Sequence, residues 1–276
     1  RSARSVTQRA KHLERNVVNT KAILAQEFDS PRLLADIGGT YARFVLEVAK
    51  GEFQHSATLR CQDYPDFYAA IRAYLDSLPQ LTIVHAAVAI ANPVDGDLVS
   101  MTNYHWQFSI EEMRQKLGFD TLLIVNDFTA LAMALPRLAP NQVHQVGGGE
   151  ARKQSVIGLL GPGSGLGVSG LIPAGDGWIS LGSEGGHTSF APRNEREIAI
   201  LRYVWKHFDH VSFERLVSGP GLELIYRALT DADGVASADL QAPEITQRAL
   251  DQDDRYCQEA LDVFCALLGT AAANLA

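Results

Sequence analysis

The chain's 276 residues, 46% apolar and 20% charged, are enough to bury a sizeable core and point to a globular protein of two lobes. Its formal net charge of −8 excludes a nucleic-acid-binding body. The charge is uneven: residues 1–30 carry six basic and three acidic residues, a net +3, which leaves −11 on residues 31–276. No apolar run reaches the roughly 18–20 residues of a membrane span. The N-terminus lacks the apolar centre of a signal peptide, and Cys61, Cys257 and Cys265 show no metal-type spacing, so buried free thiols in the cytoplasm are expected.

Residues 1–30 read as a basic extension, weakly helical between Val6 and Leu24, ahead of a small α/β lobe over 31–137 and a larger α+β lobe over 138–276. The small lobe opens with strands near 32–37, 42–48 and 53–60, turning at Lys50-Gly51-Glu52. A helix starts at Pro65 with Phe67, Ile71, Tyr74, Leu75 and Leu78 on its core face. Ile83–Ala91 reads as a buried strand, followed by a turn at Asp95-Gly96-Asp97. Ser109-Ile110-Glu111-Glu112 forms a capping box that opens a short helix. A buried strand over 122–125 then leads through Asn126-Asp127 into a helix over 128–135, stopped by Pro136. The second lobe begins with strands over 155–161, 166–173 and 178–181. Past Glu195 it is mostly helical, with Ile198, Leu201, Trp205 and Phe208 as one apolar face and a last helical pattern over 256–276.

Two glycine hairpins stand out. Asp36-Ile37-Gly38-Gly39-Thr40 and Gly161-Pro162-Gly163-Ser164-Gly165 each join an apolar strand to a second strand, and bare backbone N–H groups at such turns suit an anion. The Asp36 carboxylate either holds Mg²⁺ through water beside a phosphate or caps a β-turn. The run Gly161–Gly167 is followed by a strand rather than a helix, so it is not a dinucleotide fingerprint. No glycine-lysine pair gives a Walker loop, and Pro162 spoils a nucleophile elbow around Ser164. Two hairpins gripping one polyphosphate fit best.

Asn126-Asp127 stands at a strand end, where open α/β sheets place ligand sites; the Asp is either a general base or, with Asn126, an N-cap. Ser183-Glu184-Gly185-Gly186-His187 sets a carboxylate and an imidazole around two glycines, a loop suited to vicinal hydroxyls, and no second His or Cys at ligand spacing supports a metal there. Glu214 reads locally as an ordinary solvated helix residue.

Taken together, Asp36-Ile37-Gly38-Gly39-Thr40-x-Ala42-Arg43, Met101-Thr102-Asn103-x-x-Trp106, Asn126-Asp127-Phe128-Thr129-Ala130, Gly161-x-Gly163-Ser164-Gly165-Leu166-Gly167, Glu184-Gly185-Gly186-His187, Phe190-Ala191-Pro192, His210-Val211-Ser212-x-Glu214-Arg215 and Ser218-Gly219-Pro220-Gly221 resemble the bacterial glucokinase family over residues 31–276. The resemblance implies the two-lobe, actin-like (ribonuclease H-like) α/β fold with a ligand cleft between the lobes, and phosphorylation of glucose by ATP with Mg²⁺. It makes Asp127 the base on the sugar 6-hydroxyl and sets Asn126 on neighbouring hydroxyls, with Glu184, His187 and Glu214 around the anomeric end. Ala35, Asp36, Ile37, Gly38, Gly39 and Thr40, with Gly161, Gly163, Ser164 and Gly165, would hold the ATP phosphates, and Asp36 the metal.

Three departures from the family pattern bear on activity. Tyr41 replaces the usual Asn beside the first turn, and Tyr104 the usual His. Ala272-Ala273 stand where glycines are usual, and the adenosine-binding segment of the family is expected beyond Ala276. An impaired sugar-binding or regulatory protein on the same scaffold is the rival reading, favoured by Tyr41 and disfavoured by Asp127, which a pure binder does not need. Glucose and ATP are the expected partners, with neither nucleic acid nor membrane. The oligomeric state is not fixed, and a homodimer is compatible with the sequence.

Overall fold

A computed structural model of the chain describes residues 28, 30–101, 104–150, 152 and 154–276. The expected basic extension, apart from residues 28 and 30, lies outside the described residues, as do Thr102 and Asn103 of the Met101–Trp106 motif. The described residues divide between Leu131 and Ala132 into two compact units.

The first unit comprises β1 (Arg32–Ile37), β2 (Tyr41–Ala49), β3 (Glu52–Arg60), α1 (Phe67–Asp76), β4 (His85–Ile90), β5 (Leu98–Ser100), β6 (Gln107–Ser109), α2 (Ile110–Leu117), β7 (Thr121–Asn126) and the start of α3 (Asp127–Ala134). Five strands form one sheet in the order β3-β2-β1-β4-β7. The first three make an antiparallel meander, while β1, β4 and β7 run parallel. Alternation dictates the buried face: Leu33, Ala35 and Ile37 on β1 and Ala42, Phe44 and Leu46 on β2 turn into the core. Helix α1 buries Phe67, Ala70, Ile71 and Tyr74, and its start is fixed by the Asp66 carboxylate, which accepts the Ala69 N–H at 2.7 Å. Tyr74 stacks on Phe44 at 4.9 Å, and Trp106 packs against Phe67. Helix α2 is capped as expected by Ser109, whose hydroxyl accepts the Glu112 N–H at 3.1 Å; the Asp97 carboxylate from the preceding turn accepts the Glu111 N–H at 2.9 Å.

The second unit carries the rest of α3, then an antiparallel meander of β8 (Ile157–Pro162), β9 (Leu166–Ala174) and β10 (Gly177–Ser183), ordered β10-β9-β8. Five helices follow: α4 (Glu195–Val204), α5 (Phe213–Leu216), α6 (Gly219–Ala232), α7 (Ala242–Leu250) and α8 (Arg255–Leu275). Leu166 and Val168 of β9 share one core with Ile200, Leu216, Ile225, Ile245, Cys257 and Leu267.

Two expectations need correction here. Helix α4 ends at Val204, so its buried face is Glu197, Ile200, Leu201 and Val204; of the residues extrapolated beyond it, Phe208 still packs against the core but Trp205 is 56% exposed. Cys61 and Cys257 are buried, whereas Cys265 is exposed on α8. Among the described residues, no helix is long and apolar enough to cross a membrane.

Candidate active site

The β1–β2 turn is built from both sides. Asp36 and Arg43 face each other across the two strands, and the guanidinium donates to Asp36 Oδ2 at 2.9 Å. With side chains 54% and 56% exposed, this pair contributes little to stability, which leaves both groups free to serve another partner. The Gly38 N–H donates to the Tyr41 carbonyl at 2.9 Å and closes the turn. Beneath it lies Cys61, whose N–H donates to the Thr40 carbonyl at 2.9 Å and whose thiol donates to the Gly38 carbonyl at 3.4 Å. A trans peptide sets each N–H opposite the preceding carbonyl, so the Gly39 N–H points away from Cys61, outward from the turn. Burial pushes the Cys61 thiol pKa up, which keeps it a neutral donor. Tyr41, 41% exposed, opens β2, and the Arg43 guanidinium lies 6.0 Å from its ring centre.

Sheet register relates this turn to Asn126-Asp127. Ile37 pairs with Ile90, and Ile90 with Asn126, so β1 and β7 end on the same rung, two strands apart. At about 4.8 Å per strand, Gly38 and Asp127 leave one sheet edge roughly 10 Å apart. Asn126 caps α3, its side-chain carbonyl accepting the Thr129 N–H at 3.1 Å. Two donors meet Asp127 Oδ1: the Phe128 N–H at 2.8 Å and the Asn126 side-chain amide at 2.9 Å. The N-cap and the acid/base readings of this dipeptide are therefore compatible, since Asn126 caps while holding Asp127. Burial, reinforced by the negative charge of Asp36, pushes the Asp127 carboxyl above its ordinary range, against the lowering effect of these hydrogen bonds.

In the second unit, Glu184, His187 and Glu214 are brought together. Gly185–His187 form a single helical turn. Gly186 has no room for a side chain, because a Cβ there would lie 2.2 Å from the Leu166 carbonyl oxygen. His187 Nε2 stands 3.6 Å from Glu184 Oε2, and Nδ1 stands 3.6 Å from Glu214 Oε1. Both distances exceed a hydrogen bond, so these polar atoms share a patch without satisfying one another. The β8–β9 turn lies alongside. Its Gly163 N–H donates to the Gly165 carbonyl, and the Gly163 carbonyl accepts the Gly219 N–H, each at 2.8 Å. Glu214 Oε2 accepts the Leu166 N–H at 2.9 Å.

A family model for glucokinase matches residues 33–276. The chain belongs to the glucokinase family. It is 55% identical over 246 residues to a glucokinase of Chromobacterium violaceum, covering 89% of this chain and 71% of that one. It is 57% identical over 262 residues to the bifunctional protein glk of Paraburkholderia xenovorans, covering 94% of this chain and 41% of that protein. The chain thus spans less than half the length of that bifunctional relative. The solved structure of a glucokinase from an Antarctic psychrotroph matches with a TM-score of 0.79 at 36% identity, covering 90% of this chain and 79% of that one. The fold is accordingly the two-lobe, actin-like α/β class of the glucokinase family.

Two parts of the candidate site were not singled out from the sequence. Cys61 gave no local signal, because its contacts are to a turn more than twenty residues earlier. The bond from Leu166 to Glu214 spans 48 residues and turns an apparently ordinary helix residue into a fixture of the β8–β9 turn.

Proposed function

We propose that the protein phosphorylates glucose on its 6-hydroxyl with ATP, giving glucose 6-phosphate and ADP. The observation that carries this reading, in a chain of this family, is the Asp127 carboxylate: Oδ1 is held by two N–H donors at the end of β7, while burial pushes the carboxyl above its ordinary range. In the reaction, the sugar O6 attacks the γ-phosphorus, the bond from that phosphorus to the β,γ-bridging oxygen breaks with its electron pair leaving on ADP, and the O6 proton passes to Asp127. A base is more effective the closer its pKa lies to the working pH, and general-base help is worth about 10²–10⁴ in rate.

The remaining task is positioning and charge neutralisation. Asn126 orients the hydroxyls beside O6, and Glu184, His187 and Glu214 take those at the anomeric end. The turns Ala35–Thr40 and Gly161–Gly165, with Ser164 at the tip of the second, hold the phosphates through backbone N–H groups. Among the described residues, no group of three or more His, Cys, Asp or Glu could hold a metal. Mg²⁺ needs none, since it binds through one or two carboxylates together with water and substrate phosphates, and the exposed Asp36 carboxylate fits that donor set. When bound, the ion supplies charge neutralisation on the phosphates.

Coupled measurement of glucose 6-phosphate from glucose and Mg·ATP tests the reading. Product formation is expected, with Glu184→Ala raising the glucose KM at least tenfold, about 1.4 kcal/mol of binding. Absence of product, or an unchanged KM in that variant, would overturn it.

A further inference from the structure

We infer that Glu214 is a positioning residue for the β8–β9 turn, and that ligation of its other oxygen by a sugar hydroxyl stiffens that turn. The first half rests on geometry alone; the second rests on the sugar site proposed above.

The carboxylate is shared between two tasks. Oε1 faces His187 Nδ1 at 3.6 Å, while Oε2 accepts the Leu166 N–H at 2.9 Å. Leu166 follows the turn directly, and the ladder does not use its N–H. The Gly163–Gly165 bond makes that pair the hydrogen-bonded one, so the adjoining Pro162–Leu166 pair is of the non-hydrogen-bonded type. The Leu166 N–H therefore points away from β8, to the side where β10 has already ended at Ser183, and Glu214 accepts it there. A carboxylate acceptor makes this bond about twice as strong as a neutral one. Gly165 has the corresponding shape: a Cβ there would lie 2.5 Å from Glu214 Oε2, so a side chain at this position displaces the carboxylate from the turn.

The same short segment holds the turn a second time and also holds the sugar loop. Gly219 donates to the Gly163 carbonyl at 2.8 Å, and Phe213 donates to the Thr188 carbonyl at 2.9 Å, one residue past His187. Ser212 bridges Ser189. Residues 212–219 thus form a common wall behind both loops. A long side chain such as Glu loses rotamer freedom when fixed at one end. A hydroxyl bound at Oε1 fixes the side chain and with it Oε2, so the Leu166 bond opens less often.

Amide hydrogen exchange at Leu166, followed by NMR, tests both halves. Without sugar, Glu214→Ala is expected to speed Leu166 exchange at least tenfold, while Glu214→Gln, which keeps a carbonyl acceptor, stays within about threefold of the parent. Gly165→Ala, which pushes the carboxylate aside without altering it, is expected to reproduce the alanine effect and serves if Glu214→Ala does not fold. Saturating glucose is expected to slow Leu166 exchange in the parent at least threefold. Equal exchange in the parent, Glu214→Ala and Gly165→Ala would overturn the anchor. Unchanged exchange despite glucose binding seen by calorimetry would overturn the coupling. Failure to bind glucose at all would overturn the proposed function and the coupling with it, while the sugar-free comparison still decides the anchor.

Discussion

Replacing Asp127 with Asn and with Ala separates chemistry from architecture. Both bonds from neighbouring donors fall on Oδ1, at 2.8 and 2.9 Å. Asparagine keeps a carbonyl oxygen for both donors, whereas alanine keeps neither and forfeits about 1 kcal/mol for each, about 2 kcal/mol in all. Ionisation works in the opposite direction. The folded-state pKa of Asp127 is raised, so the folded protein holds that proton more tightly than the unfolded chain, and stability is lost as pH rises through the raised value. At neutral pH, Asp127→Asn removes that cost and should leave stability equal to or above the parent. Both variants lose the base, so kcat should fall about 10²–10⁴-fold. The glucose affinity should stay within about tenfold in both. Coupled assay of glucose 6-phosphate and urea unfolding of the same preparations give the two readings. Turnover in Asp127→Asn within tenfold of the parent would refute the base. An Asn variant as unstable as the Ala variant would refute the division of its carboxylate oxygens.

The charge of Asp36 also raises the Asp127 carboxyl, so Asp36→Asn should move its titration to lower pH; a carbon-NMR titration of the Asp127 carboxyl reads this without turnover, and an unmoved midpoint would contradict it. Gly186→Ala should cost about 1–3 kcal/mol in a denaturation experiment, because the contact at 2.2 Å is with the rigid backbone carbonyl of Leu166 rather than a side chain that can turn away. A thiol reagent at pH 8 should modify exposed Cys265 in the native protein and reach Cys61 and Cys257 only after unfolding, since both are buried and burial pushes the Cys257 thiol up to about 11. Rapid native labelling of all three would contradict the packing.

Elements with a strong period were legible. The strands read at 32–37 and 42–48 match β1 and β2 to within a residue, and Ser109 marked the start of α2 through chemistry confined to one turn, whereas the helix read from Pro65 begins at Phe67 behind its Asp66 cap. The three-residue β5 and β6 were missed, because so short a pairing leaves no period to read. Trp205 was misplaced for the converse reason: the pattern outran the helix, which stops at Val204. Within the candidate site, Asn126-Asp127, the two glycine turns and the Glu184–His187 loop are local motifs, whereas Glu214 comes from a separate helix and joins His187 only on folding. Cys61 and the Glu214–Leu166 bond are tertiary contacts between distant segments, and only folding brings them together.

The common rung that ends β1 and β7 has a consequence for how this chain tolerates change in length. Asp127 and the β1–β2 turn are separated by two hydrogen-bonded ladders, β1–β4 and β4–β7. Residues added at an exposed position of a connecting loop leave both ladders paired as they are. A single residue deleted inside β4 slips two ladders at once and turns the strand's inward side chains outward. That spacing is written in the middle strand, β4, which supplies none of the candidate site's side chains.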